Sequence, residues 1–189
     1  MKTISLPKAI YQGIESGEVT QIRFPVTHAL APLPWSFVEV KVKKGFLFGL
    51  HRDAGPLRIR TKFSAGDLVG VSEPFTDSKE FGRFYEYDLH PEYAKTFTWS
   101  KATKMHGAET RLSFRVSGYQ VQRLAECSEP DSFAEGVQEF NGLFAVPGYQ
   151  LQPTPCAALT SYFCESNKLP AKNHFTIIYS ITVINTRKR

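Results

Sequence analysis

The sequence predicts an α+β fold in which a mixed β-barrel is flanked by peripheral helices. Several segments alternate apolar and polar residues with the period of two that half-buried strands show, and no regular crossover helices separate them. Fifteen Phe and eight Tyr against two Met favour an aromatic β core. A chain of 189 residues is long enough for one full core and short for two. We therefore expect a single domain over residues 1–189, with a long loop or insertion at 74–109.

Charge and cysteine content narrow the classes of partner and compartment. The net charge of +5 makes an anionic partner plausible, with nucleic acid the commonest kind, although Arg187–Arg189 supplies part of the surplus. The cysteines are three in number and lack CxxC spacing, which argues against a disulfide framework or a zinc site. Neither a membrane span nor a basic-then-apolar leader is visible. We expect a cytoplasmic protein with no membrane partner.

The first helix and strand supply one candidate ligand site. Pro7 favours a helix start, and Gly17 can end that helix in the left-handed conformation. The segment 19–24 then alternates as a strand, and its polar residues Thr20, Gln21 and Arg23 could bind an anionic or hydrogen-bonding ligand. A solvated strand edge is the alternative interpretation.

Two further strands are predicted at 37–43 and 57–63. In the first, Val38, Val40 and Val42 should face one way. In the second, Arg58, Arg60 and Lys62 form the densest basic stripe in the sequence, which is explained by default as solvated charge outside a barrel.

The rest of the chain predicts a mixture of strands and helices. A turn at Gly66-Asp67 leads into an apolar strand that Glu73 ends. Ser128 should cap a helix that runs to about Phe140 and buries Phe133 and Val137. The other expected elements are a strand at 83–87, strands at 111–116 and 119–124, a helix at 157–165, and a central closing strand at 174–184.

Several chemistries find no sequence support. The chain has no Walker loop, no GxGxxG after a strand, no HExxH and no GxSxG. The five histidines share no ligand spacing. We expect no metal site and no cofactor.

Five motifs in order resemble a known family. They are Ser16-Gly-Glu-Val-Thr-Gln-Ile-Arg23, Gly66-Asp-Leu-Val-Gly-Val-Ser-Glu73, Trp99-Ser-Lys-Ala-Thr-Lys-Met105 followed by 109–116, the pair of segments 121–124 and 134–137, and Pro170 to Ile181. Together they resemble phage-type proteins with an activating-signal-cointegrator homology (ASCH) domain, a PUA-like barrel. The resemblance implies a phage-derived protein that acts in the host cytoplasm.

The chain departs from this family at two positions that matter for catalysis. In ASCH relatives that hydrolyse N4-acetylcytidine, the resemblance implies a catalytic Lys, Thr and Glu. This chain has Val19 and Ile22 where the Lys and the Thr would stand, and only Glu73 survives. Valine and isoleucine can neither activate a hydroxyl nor stabilise an oxyanion. We therefore expect no amidohydrolase activity and assign no catalytic residue.

Three functions remain open. The leading one is a binding module that engages RNA, single-stranded nucleic acid or a nucleotide in the barrel cleft, where aromatic rings stack bases and cations neutralise phosphates. The candidate ligand-binding residues are Thr20, Gln21, Arg23, Glu73, Trp99, Lys104 and Arg111. The alternatives are an enzyme acting on a modified nucleobase or nucleotide, and a phage factor that contacts a host or phage protein. We also expect Glu73 to point into the cleft and pair with Arg23.

Overall fold

The protein folds as a mixed α+β structure in which a curled, half-barrel sheet dominates and helices are few. The computed structural model describes residues 1–29, 36–43, 46–80, 82–170 and 173–186. The strands are β1 Lys2–Ser5, β2 Gln21–Pro25, β3 Phe37–Lys43, β4 Phe46–His51, β5 Gly55–Ile59, β6 Leu68–Ser72, β7 Phe75–Ser78, β8 Gly82–Tyr85, β9 Leu112–Arg123, β10 Gln138–Phe140, β11 Leu143–Ala145 and β12 Phe175–Thr186. The α-helices are α1 Lys8–Ser16, α2 Pro91–Ala94, α3 Glu129–Ala134 and α4 Pro155–Ser166.

The main sheet has five strands in the order β1-β6-β9-β12-β2. Strands β1 and β6 are parallel, and the other neighbours are antiparallel. The long pair β9 and β12 runs from Phe175 opposite Arg123 to Thr186 opposite Leu112, with register shifts that accommodate a bend. The expected central position of the closing strand is confirmed, because β12 is hydrogen-bonded on both sides. The two predicted strands at 111–116 and 119–124 are one continuous strand.

Aromatic residues pack in the core against this sheet, as the composition predicts. Tyr179 and Phe63 are fully buried and lie edge to face with ring centroids 5.2 Å apart. The Tyr179 hydroxyl accepts a hydrogen bond from the backbone N–H of Lys62 at 2.9 Å. This bond ties the segment after β5 to the central strand.

Strands β3, β4 and β5 form a separate antiparallel sheet, whose first strand is only partly buried. Val38 and Val42 are 51% and 54% exposed. The register shifts between Phe37 and Glu39, so the ring of Phe37, rather than Val38, enters the core beside Gly49. Strand β5 also ends at Ile59, four residues earlier than predicted, so Arg60 and Lys62 follow the strand.

Helix α3 begins as predicted but is much shorter. Ser128 accepts a hydrogen bond from the backbone N–H of Asp131, which confirms the cap. The helix ends at Ala134 because Gly136 adopts φ +96°, and residues 138–140 then pair with β11 as a hairpin. Val137 is buried, but Phe133 and Phe140 are exposed, so the prediction that Phe133 is buried is wrong.

Residues 74–109 carry structure of their own. They contain the β7–β8 hairpin, α2, and 3-10 turns at Glu86–Asp88, Ala102–Lys104 and Gly107–Glu109. The predicted strand at 83–87 is β8, which ends two residues earlier.

Candidate nucleic-acid interface

A continuous concave surface lies around the end of β5, and we call this surface the basic groove. It is defined by Arg58, Arg60, Lys62, His28 and Tyr119. Three adjoining cavities of about 580, 730 and 400 Å³ make up the groove. Arg60 lines all three, Arg58 lines the first two, and Lys62 lines the third. The basic stripe noted in the sequence is therefore one wall of a concave surface.

The β4–β5 pair places the first cation of the groove beside an aromatic ring. Arg58 lies opposite Phe48 in this pair, and its guanidinium carbon is 3.9 Å from the ring centroid of Phe46. Phe46 is 47% exposed and lines the same cavity. A stacked guanidinium and an accessible ring thus stand together at one end of the groove.

Lys62 lies at the other end of the groove, where both its backbone and its ammonium group contact aromatic residues. Its N–H donates to the Tyr179 hydroxyl, and its ammonium nitrogen is 4.3 Å from the ring centroid of Phe24. Burial lowers the pKa of Lys62 below its ordinary value of 10.5. An anion in the groove would oppose this shift, because it favours the protonated amine.

The groove differs from other arginine sites in its lack of countercharge. Within the part of the chain that the structure describes, no carboxylate lines the three cavities, and Arg58, Arg60 and Lys62 form no ion pair. By contrast, Arg23, Arg83 and Arg111 all bind carboxylates. The groove therefore offers uncompensated positive charge to an external anion.

The expected pair of Arg23 and Glu73 is wrong. Arg23 alternates with Ile22 and Phe24, which face the core, so its side chain lies on the opposite face of the sheet. There it binds Glu135, with Nη2 2.7 Å from Oε1. Burial raises the pKa of Glu135, and the hydrogen bonds and charge of Arg23 oppose that rise.

Glu73 is the centre of a second, closed cluster on the core side. It is completely buried, Arg111 Nη2 lies 2.8 Å from its Oε2, and the Tyr11 hydroxyl donates to its Oε1 at 3.1 Å. Arg111 also donates two hydrogen bonds to Asp88, at 2.8 and 2.9 Å, and its guanidinium lies 3.9 Å from the Tyr85 ring centroid. Burial raises the pKa of Glu73, while Arg111 opposes that rise. Two of the predicted site residues, Glu73 and Arg111, therefore meet, but as partners of each other.

The remaining predicted site residues are dispersed. Thr20 is exposed, and its backbone N–H donates to Ala134. The buried Gln21 Oε1 has no hydrogen-bond partner among the described residues. Trp99 Nε1 donates to the Ala94 carbonyl at 2.7 Å, and Lys104 is exposed on a 3-10 turn. These side chains do not form a single cleft with the basic groove.

Sequence reasoning found the cations of the groove but did not assign them a site. It also missed His28, Phe24 and Phe46 as neighbours of those cations. A signal was present, because Phe46 begins an apolar segment, 46–50, that stands between the two predicted strands. In the described residues, no group of three or more His, Cys, Asp or Glu side chains could hold a metal ion, and no helix is long and apolar enough to cross a membrane.

Comparisons with known proteins add no relative. No protein-family model, curated protein or solved structure matches this chain.

Proposed function

We propose that this protein binds RNA or single-stranded nucleic acid in the basic groove. The observation that carries the proposal is the uncompensated positive charge of Arg58, Arg60 and Lys62 along one continuous concave surface. The fold is proposed to be a divergent PUA-like barrel of the ASCH type. A phage origin and a cytoplasmic site of action belong to the same proposal.

The spacing of the cations suits a polyanion better than a single phosphate. Arg60 borders all three cavities, so a chain that lies along the groove would pass Arg58, Arg60 and Lys62 in turn. Each neutralised phosphate releases condensed counterions, and for single strands the slope of log K against log[salt] is about −0.7 per contact. Three contacts predict a slope of about −2.

Aromatic rings in the groove favour unpaired bases over a duplex. Phe46 is exposed beside Arg58, and Tyr119 lines the same cavity. Bases stack on such rings only where they are not already stacked within a duplex. The groove is therefore better suited to RNA or a single strand than to a duplex.

The proposal excludes hydrolysis of N4-acetylcytidine. Val19 and Ile22 are buried, and both oxygens of Glu73 already accept hydrogen bonds. A completely buried carboxylate that accepts three hydrogen bonds from Tyr11 and Arg111 supports the fold rather than facing a substrate.

Binding is tested by fluorescence anisotropy with a labelled single-stranded RNA, the matching single-stranded DNA and a duplex of the same length, each at several salt concentrations. The variant is Arg60→Ala, and the matched control is Arg115→Ala, an exposed arginine on β9 that lines none of these cavities. We expect Arg60→Ala to weaken binding and reduce the salt slope by about 0.7, with Arg115→Ala unchanged. A flat titration with both single strands, or equal effects of the two variants, would overturn the proposal.

A further inference from the structure

Two cysteines lie side by side at a second site, away from the basic groove. Cys127 precedes α3, and Cys156 is in the first turn of α4. The Cys156 thiol donates a hydrogen bond to the Cys127 carbonyl, with Sγ 3.1 Å from the oxygen. The Ser132 hydroxyl donates to Cys156 Sγ at 3.7 Å. The two side chains also interact directly, because the Cys127 thiol is hydrogen-bonded to the side chain of Cys156.

The ionisation of Cys127 also reflects this proximity. Burial raises the pKa of the Cys127 thiol to about 11, and the hydrogen bond and charge of Cys156 add to the rise. Cys127 therefore remains protonated at neutral pH beside its neighbour. Cys156 lies in the first turn of a twelve-residue helix that Thr154 caps. The two sulfurs therefore have different surroundings, and we assign them different roles in the reaction described below.

Small molecules can reach the pair. Both cysteines are half-buried and line a cavity of about 570 Å³, whose wall also includes the polar side chains of Gln152, Thr160 and Ser161. Cys164 lines this cavity as well, but it is buried. A hydroperoxide is small and polar enough to enter such a space.

We propose that Cys127 and Cys156 form a redox-active pair that closes to a disulfide when it reacts with a hydroperoxide. The Cys156 thiol gives up its proton as its sulfur attacks the peroxide oxygen, and the O–O bond breaks to form a sulfenic acid. The leaving alkoxide or hydroxide takes a proton in exchange and departs as an alcohol or water. The Cys127 sulfur then attacks the sulfenic sulfur, the S–O bond breaks, and the leaving hydroxide takes the thiol proton to become water. Overall, two thiols lose two electrons and two protons, and the peroxide is reduced.

The disulfide would join the start of α3 to the start of α4. These two helices pack on each other and are separated in sequence by the β10–β11 hairpin. Because the bond would close this segment into a loop, it would restrict the unfolded chain and raise the melting temperature of the oxidised protein. Oxidation would thus be measurable as an increase in the melting temperature.

The experiment treats the purified full chain with hydrogen peroxide, quenches the reaction, and then alkylates the remaining thiols in denaturant, so that buried Cys164 is also labelled. We expect the treated protein to lose the mass of two hydrogen atoms and to accept one label, at Cys164, whereas the reduced protein accepts three. Peptide mapping should show a Cys127–Cys156 link within one chain at every protein concentration. Three persistent thiols, a link that includes Cys164, or links only between chains would overturn the proposal.

Variants separate the roles of the two sulfurs. In Cys127→Ser the sulfenic acid at Cys156 should persist and react with a dimedone probe, whereas Cys156→Ser should give neither probe labelling at Cys127 nor a disulfide. The matched control, Cys164→Ser, should still form the link. Dimedone labelling of Cys127 in Cys156→Ser would overturn the assignment of the attacking thiol.

Discussion

Arg23 and Glu135 form a buried ion pair between residues 112 positions apart in the chain. Their side chains are 1% and 3% exposed, and Arg23 Nη2 lies 2.7 Å from Glu135 Oε1. Arg23 Nη1 also donates to Thr176 Oγ1 at 2.8 Å. The pair therefore ties the end of α3 to β2 and to the central strand β12. A buried ion pair is costly to break, because the remaining charge has no water to solvate it.

Substitution Arg23→Ala should lower the free energy of unfolding by about 3–5 kcal/mol, because Glu135 is left as an unpaired buried charge. Urea denaturation measures the loss. The control is the double variant Arg23→Met/Glu135→Leu, which removes both charges and should lie within about 2 kcal/mol of the wild type. Loss of nucleic-acid affinity without loss of stability in Arg23→Ala would instead support a ligand-binding arginine.

Glu73 and Asp88 provide a matched comparison, since Arg111 binds both. Glu73→Gln should destabilise the protein by about 2–3 kcal/mol, because it weakens charge-assisted bonds in a completely buried site. Asp88→Asn should cost less than about 1 kcal/mol, because the Asp88 side chain is 53% exposed and screened by water. Thermal and urea unfolding measure both. Equal losses would show that the cluster is not organised around Glu73.

Local sequence chemistry predicted the elements that depend on nearby residues. The first helix ends at Ser16, and Gly17 follows with φ +85°, as its position implies. Gly66 has φ +90° in the expected turn before β6. Consecutive apolar residues in the closing strand predict cover on both faces of the sheet, and Ile177, Ile178 and Tyr179 are all buried.

Features that depend on distant partners were not predictable in the same way. Phe133, Val137 and Phe140 have helical spacing, but pairing of residues 138–140 with β11 produces a hairpin. From the sequence alone, either Glu73 or Glu135 could be the ion-pair partner of Arg23. The choice follows from which face of β2 the side chain occupies once the sheet has formed.

Lys62 should make nucleic-acid binding sensitive to alkaline pH. Burial lowers its pKa below 10.5, so the folded protein loses this proton at a lower pH than the unfolded chain. Between those two pKa values the unfolded chain binds more protons, so the Lys62 contribution to stability rises with pH while its positive charge is lost. Affinity should fall over the same window by about 1 kcal/mol, or roughly fivefold.

The comparison for this pH effect is Lys62→Arg, measured by anisotropy at neutral and alkaline pH. Arginine stays protonated throughout, so the variant should keep its affinity where the wild type loses it. Parallel losses in both proteins would exclude Lys62 as the titrating group.

Phe46 should contribute to binding through base stacking. Phe46→Ala is expected to weaken binding of single-stranded RNA by about 1–3 kcal/mol and to leave the salt slope unchanged, because no phosphate contact is lost. Phe140→Ala is the control, since Phe140 is similarly exposed but lies on β10, outside the groove. Isothermal titration at several salt concentrations measures both the affinity difference and the salt slope. An altered salt slope in Phe46→Ala would indicate that the ring positions Arg58 instead of a base.

The protein should not convert N4-acetylcytidine to cytidine. Val19 and Ile22 are packed core residues, and a Cβ atom placed on Gly13 would collide with Val19, so α1 and the segment that follows it are in close contact there. A lysine at position 19 would be buried in this contact, and Glu73 would still be held by Arg111 and Tyr11. The double variant Val19→Lys/Ile22→Thr is therefore expected to lose stability without gaining activity. The test is chromatography of the nucleoside after incubation with either protein. Formation of cytidine that increases with protein concentration would contradict the prediction. If that formation were lost in Glu73→Gln, Glu73 would be established as catalytic.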